Sequence, residues 1–142
     1  MVHALKRIHN LLLPDGIAVD IHPVPEEPQI DVRIGRASHL VGWMSQEHGC
    51  TKYAQANDAW QAVIEQGLFA RERYTTFEFK TVTRSMQELE AFLQETWQAA
   101  FIEEQVVRRA DDLMASATTD KEILLREIVE VSRCRRLTQG DE

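Results

Sequence analysis

The stretch RIHNLLLPDGIAVDIHP, residues 7–23, constrains this chain most. Val2, Leu5, Ile8 and Leu12 recur at helical spacing and predict a short amphipathic helix over 2–12. Pro14-Asp15-Gly16 must end it, because proline cannot continue helical hydrogen bonding and glycine accepts a left-handed turn. IAVDIH, residues 17–22, then reads as a buried strand. Ile17, Val19 and Ile21 share one face of it, and Ala18, Asp20 and His22 share the other. Pro23, Pro25 and Pro28 end the strand in an extended loop.

The rest of the chain alternates strands with helices. Ile30, Val32 and Ile34 before Gly35, with Leu40 to Met44 after it, predict a hairpin. SQEHGCTKY is a polar connection to a helix over 52–66, carried by Tyr53, Ala56, Trp60 and Val63 and closed by Gly67. RERYTTFEFKTVTR is aromatic, β-branched and alternating, and predicts a strand. Ser85 and Glu88 form a capping-box pattern ahead of the apolar stripe Met86, Leu89, Phe92 and Leu93. A helix over 102–116 follows, then a turn at TTDKE and a long final strand, ILLREIVEVSRCRRL. The expected fold is α/β (α+β), a small mixed, mostly antiparallel sheet flanked by helices. It forms one domain over 1–137 with a frayed tail at 138–142, and shows no repeat.

Composition narrows the function classes. A net charge of −7 argues against nucleic acid, whose phosphates reward basic patches. Arg108-Arg109 is diluted by Glu103, Glu104, Asp111 and Asp112, a run that fits the wet face of a helix with Glu104 and Arg108 at ion-pair spacing. No segment approaches the run of about 20 apolar residues that a membrane span needs. Cys50 and Cys134 form neither a metal nor a redox spacing, so two reduced thiols in a cytoplasmic protein are expected, although sequence does not decide whether they are bridged.

The order of elements resembles the C-terminal half of class I S-adenosylmethionine-dependent methyltransferases, a Rossmann-like family. Its L-x-P-x-G turn into the fifth strand is matched by Leu12-Leu13-Pro14-Asp15-Gly16 and Ile17–His22. Its closing antiparallel pair is matched by Phe77–Val82 and Glu127–Cys134. The family binds its cofactor on a glycine-rich loop after the first strand, where missing side chains let backbone N–H groups approach the ligand. The six glycines here include no G-x-G arrangement, and the first four strands have no counterpart. The resemblance therefore implies a methyltransferase-like module that holds no cofactor of its own and is not catalytic alone. It would become a methyltransferase binding S-adenosylmethionine only if a missing N-terminal half were supplied. The chain would then be a piece of a complete enzyme, or would act as a substrate-side, partner-binding or oligomerising module.

The alternative is a small-ligand-binding or unrecognised enzyme domain with a pocket near Trp43, His48 and Tyr53. Asp20 and His22 share a strand face where acid–base chemistry is available, but two ligands at that spacing make no metal site, so contact with a helix end or solvent is the favoured explanation. Glu47, His48 and Cys50 lie close in sequence, but a nucleophile and its base must meet in space, so a solvated loop with one exposed thiol is the favoured explanation. Trp43, Tyr53, Trp60, Trp97, Phe77 and Phe79 could line a pocket, whereas their spacing favours the core for Trp60 and Phe79. His3, His9 and His39 read as surface residues. The candidate substrate-binding set is Asp20, His22, Trp43, His48 and Tyr53, with no cofactor or metal ligands. A strand 17–22 without its usual neighbour leaves an open edge that must be covered, by the Val24–Met44 hairpin, by a second copy in a homodimer, or by another chain.

Overall fold

The computed structural model describes residues 1–118 and 120–138. They form α1 (Val2–Leu11), β1 (Ile17–Pro23), β2 (Gln29–Ile34), β3 (Ala37–Gln46), α2 (Gly49–Glu65), β4 (Phe69–Thr83), α3 (Met86–Thr96), β5 (Ala100–Ile102), α4 (Glu104–Ser116) and β6 (Lys121–Arg136). The expected α/β class forms: four helices and a six-stranded, mostly antiparallel sheet in the order β1–β6–β2–β3–β5, with β4 also on β6. Thr119 of the expected turn, and the expected tail from residue 139 on, lie outside the described residues. None of the helices among the described residues is long and apolar enough to cross a membrane.

The chain divides into two compact units. The first contains Met1–Pro25, Cys50–Phe77 and the chain from Val129 onward. Its apolar core is Leu5 of α1, Ala59, Trp60 and Val63 of α2, Phe69 of β4 and Cys134 of β6. Trp60 and Phe69 meet edge to face at 5.4 Å, so the expectation for Trp60 holds. His9 is not a free surface residue: its ring lies edge-on to Phe69 and its Nε2 is 3.0 Å from the Leu137 carbonyl. At the turn after α1 the left-handed residue is Asp15, with φ 59°, rather than Gly16. Gly16 is required for space, because a Cβ there would stand 2.7 Å from the Leu13 carbonyl oxygen.

β1 pairs antiparallel with β6, from Ile17 opposite Arg135 to Pro23 opposite Val129. Its faces are reversed from the simple expectation for a buried strand. Asp20 and His22 share a side with the buried Ser132 and Glu130, while Val19 and Ile21 are 60% and 61% exposed. Among the described residues β1 pairs with β6 alone, and the hairpin offered above as one cover for its edge pairs through β2 with another stretch of β6. On the other strand partner of β6, Glu72 reaches Arg133 and Arg135 while Tyr74 reaches Glu130, a sequence that makes β4 antiparallel to β6.

The second unit contains Glu26–Gly49 and Glu78–Ile128. Its core joins Ile30 and Val32 of β2, Val41 and Met44 of β3, Ile123 and Leu125 of β6 to Met86, Leu89 and Leu93 of α3 and Val106 and Ala110 of α4. Ser85 Oγ accepts from the Glu88 N–H at 3.1 Å, as the capping pattern predicts. The Glu88 carboxylate reaches one residue further upstream than the pattern requires, to the Arg84 N–H at 2.7 Å. β5 is absent from the sequence expectation, which ran the following helix back to Ile102. Phe79, expected in the core, is 52% exposed. Arg108 and Glu104 pair as expected, on an open helix face where such a pair contributes at most about 0.5 kcal/mol.

One charge in this unit carries more. Asp31 is 1% exposed, with Oδ2 2.6 Å from Arg126 Nε and 3.1 Å from Ser38 Oγ. Arg126 is itself held by Gln29 at 2.8 Å. Replacing Arg126 with methionine strands a buried carboxylate, and urea unfolding at neutral pH should show a loss of about 3 kcal/mol. Glu127 is the opposite case: it is buried, and burial pushes its carboxyl above the usual carboxylate range. The folded form therefore holds its proton to higher pH than the unfolded form, and stability falls as pH rises through that window. Glu127→Gln should raise the melting temperature near neutral pH, with the gain vanishing in acid below the ordinary carboxylate value.

Candidate functional site

The first unit places His22 between two carboxylates. Period-two geometry puts Asp20 on the same side of β1, with its Oδ2 2.8 Å from His22 Nδ1, although the ring N–H is not well directed at it. The β1–β6 register sets Glu130 directly opposite, and its Oε1 lies 2.9 Å from Nε2. α2 supplies the third wall. Tyr53 and Asn57 stand four apart on one helix face, so Tyr53 stacks on the imidazole at 6.3 Å while Asn57 Oδ1 lies 2.9 Å from Nε2. The His22 side chain is only 11% exposed.

Glu130 carries this cluster to the surface. Its Oε2 accepts from the Tyr74 hydroxyl at 3.1 Å. Glu130 and Tyr74 then line a cavity of about 300 Å³ with Asn57, Asp58, Gln61 and Arg71. Arg71 sits 5.9 Å from the centre of the Tyr74 ring. The chain Asp20, His22, Glu130, Tyr74 is thus a polar relay from a buried strand face to a cavity. It brings a carboxylate and a phenol to the lining of that cavity, and both are groups that can exchange protons. Burial of the Tyr74 hydroxyl, reinforced by its bond to Glu130 and by the negative charge there, pushes the phenol above its ordinary value, with Arg71 opposing. Burial likewise pushes the Cys134 thiol up, so it behaves as a structural group.

Asp20, His22 and Tyr53 of the sequence-derived set therefore come together. Trp43 and His48 belong to the second unit: Trp43 is half exposed on β3, and His48 sits in a left-handed turn, 3.6 Å from an equally exposed Glu47. Cys50 is a free, half-buried thiol at the start of α2, and Cys134 is also free, so neither is bridged. Sequence reasoning missed Asn57, Arg71, Tyr74 and Glu130. Glu130 had a visible signal, a carboxylate flanked by the β-branched apolar residues Val129 and Val131. Among the described residues no group of three His, Cys, Asp or Glu side chains is arranged to hold a metal.

The second unit has a larger groove, about 1040 Å³, at the end of its strands. Several of its charges are already engaged: Arg33 pairs with Glu122, Lys121 Nζ donates to the Met114 and Ala117 carbonyls, and Glu88 caps α3. The smaller cavity is the better candidate because buried, mutually oriented groups stand behind it. Compared with known proteins, the chain matches no family model, no curated protein and no solved structure.

The chain has two tyrosines, which makes the relay easy to read. Near-ultraviolet absorbance should show Tyr74 ionising above the ordinary tyrosine range in the native protein. Glu130→Gln should bring that titration down, while a Tyr74→Phe variant identifies the signal.

Proposed function

We propose that this chain is a methyltransferase-like module resembling the sheet-closing half of the class I fold, working by sheet completion with a second copy of itself rather than by methyl transfer alone. The observation that carries this reading is the strand order around β6, which runs antiparallel between β1 and β4. That is where the resemblance puts the closing pair of strands. The free edge of β1 adds to it. Ile8, Leu11, Leu13, Val19 and Ile21 are all exposed within one short segment, an apolar concentration that marks an association surface.

The sequence of β1 is self-complementary about Asp20. Antiparallel pairing across a two-fold axis there sets Val19 against the partner copy's Ile21 and Ile21 against its Val19. The two apolar residues then cover each other on one face, and the open backbone edge is satisfied. The residues present do not fit S-adenosylmethionine. The glycine turn that leads directly into β1 is closed on itself, with the Gly16 N–H donating to the Leu13 carbonyl at 2.8 Å rather than facing a ligand. Two free thiols suit a reducing, cytoplasmic setting.

Light scattering on the purified chain should give the mass of a dimer, and Ile21→Lys should give a monomer with an unchanged far-ultraviolet spectrum, since that side chain is mostly exposed. Calorimetry with S-adenosylmethionine should show no binding. A wild-type monomer sinks the sheet-completion reading, and saturable cofactor binding sinks the claim that this half-fold carries no cofactor site.

A further inference from the structure

The cavity beside Glu130 has a charge pattern that selects its ligand. Arg71 contacts the Tyr74 ring and the Cys134 thiol, and its guanidinium pairs with no carboxylate among the described residues. Asp58, on the same rim, pairs with no cation among them. The buried Glu130 also lines the cavity. One of its oxygens faces His22 and the other takes the Tyr74 hydroxyl, and each keeps a lone pair for a further donor. The charged side chains that line this cavity of about 300 Å³ are therefore one cation and two carboxylates. That volume is at the lower end of the roughly 300–1,000 Å³ typical of small-molecule sites.

From this we infer that the cavity binds a free α-amino acid, with its carboxylate on the Arg71 fork and its ammonium between Glu130 and Asp58. A planar guanidinium matches a carboxylate through two parallel hydrogen bonds, and an ammonium brings three donors to the acceptor side. A simple anion is disfavoured by the two carboxylates, and a simple amine by Arg71. Only a ligand carrying both charges at short separation satisfies all three groups. Asp20, His22 and Asn57 act as positioning residues, holding the Glu130 carboxylate toward the opening. This inference stands apart from the sheet-completion reading, because it uses none of the exposed residues of β1.

The test is a two-dimensional amide NMR titration of the full chain with glycine, alanine and glutamine, set against acetate and methylamine at matched ionic strength. The backbone amides of Asn57, Asp58 and Gln61 should shift with at least one amino acid, at about ten-fold or better affinity over either single-charge probe. Arg71→Gln should erase the preference over methylamine, and Glu130→Gln should erase the preference over acetate. Thermal unfolding checks that each variant folds. Should Glu130→Gln fail that check, Arg71→Gln, at an exposed side chain, carries the test alone. Acetate or methylamine binding as tightly as the amino acids overturns the inference, and so does the absence of any shift with all five probes at tens of millimolar, roughly the weakest range in which a specific site is meaningful.

Discussion

β6 is the strand on which the rest of the sheet depends. It runs 16 residues, against a typical strand of about 5–6, and both compact units draw on it. Residues 121–126 pair with β2, residues 129–135 pair with β1, and β4 pairs with β6 as well. Its backbone groups are satisfied by strands that come from three separate parts of the chain, which is why removing them piecemeal would leave costly unpaired N–H and C=O groups. Glu127 and Ile128 fall outside both the β1 and the β2 registers, at the point where β6 passes from one unit to the other. A buried carboxyl at that point is a local cost that the surrounding pairing tolerates.

The two halves of β6 are used differently. Ile123 and Leu125 enter a core made of aliphatic side chains from β2, β3, α3 and α4, where burial of each side chain stabilises by about 1.5–3 kcal/mol. The other half buries Glu130, Ser132 and Cys134, a side that is polar at one end and apolar only near Phe69 and Trp60. A buried carboxylate needs partners, and the partners are what make the candidate site. His22, Asn57 and Tyr74 are each within hydrogen-bonding distance of another member of the cluster because the strand already committed Glu130 to the covered side.

What was legible in the sequence was local. The Pro14–Gly16 turn, the Ser85 cap, the Ile30–Ile34 alternation and the final strand all rest on signals within one or two turns of chain, and all appear. β5 was not legible, because three residues give no periodicity and its pairing with Met44–Gln46 is a tertiary event. Phe79 was misplaced because β-propensity tells that a residue suits a strand and not which side of the strand is covered. The same limit applies to β1: alternation separated Val19 and Ile21 from Asp20 and His22 but did not say which pair faces inward. For the site, Asp20, His22 and Tyr53 were visible as residues that carry chemistry. Their convergence on Glu130 depends on the β1–β6 register, and no short-range pattern encodes that register.

The inversion of β1 links its two proposed roles. An ordinary edge strand turns its apolar side to the core and its polar side to water. Here the polar side is enclosed by α2 and β6, and the apolar side is open. Enclosing Asp20 and His22 is tolerable because each has a partner, and the open Val19 and Ile21 form the apolar side that the proposed pairing would cover. Successive side chains point to opposite faces, so the two sets are physically independent although they alternate along seven residues. On the proposed readings, changes at Val19 or Ile21 would act on association and leave the imidazole with its partners, whereas changes at Asp20 or His22 would act on the cavity and leave the exposed side of the strand intact. A single strand can thus present a ligand-orienting face and a pairing face, and the two can be varied one at a time.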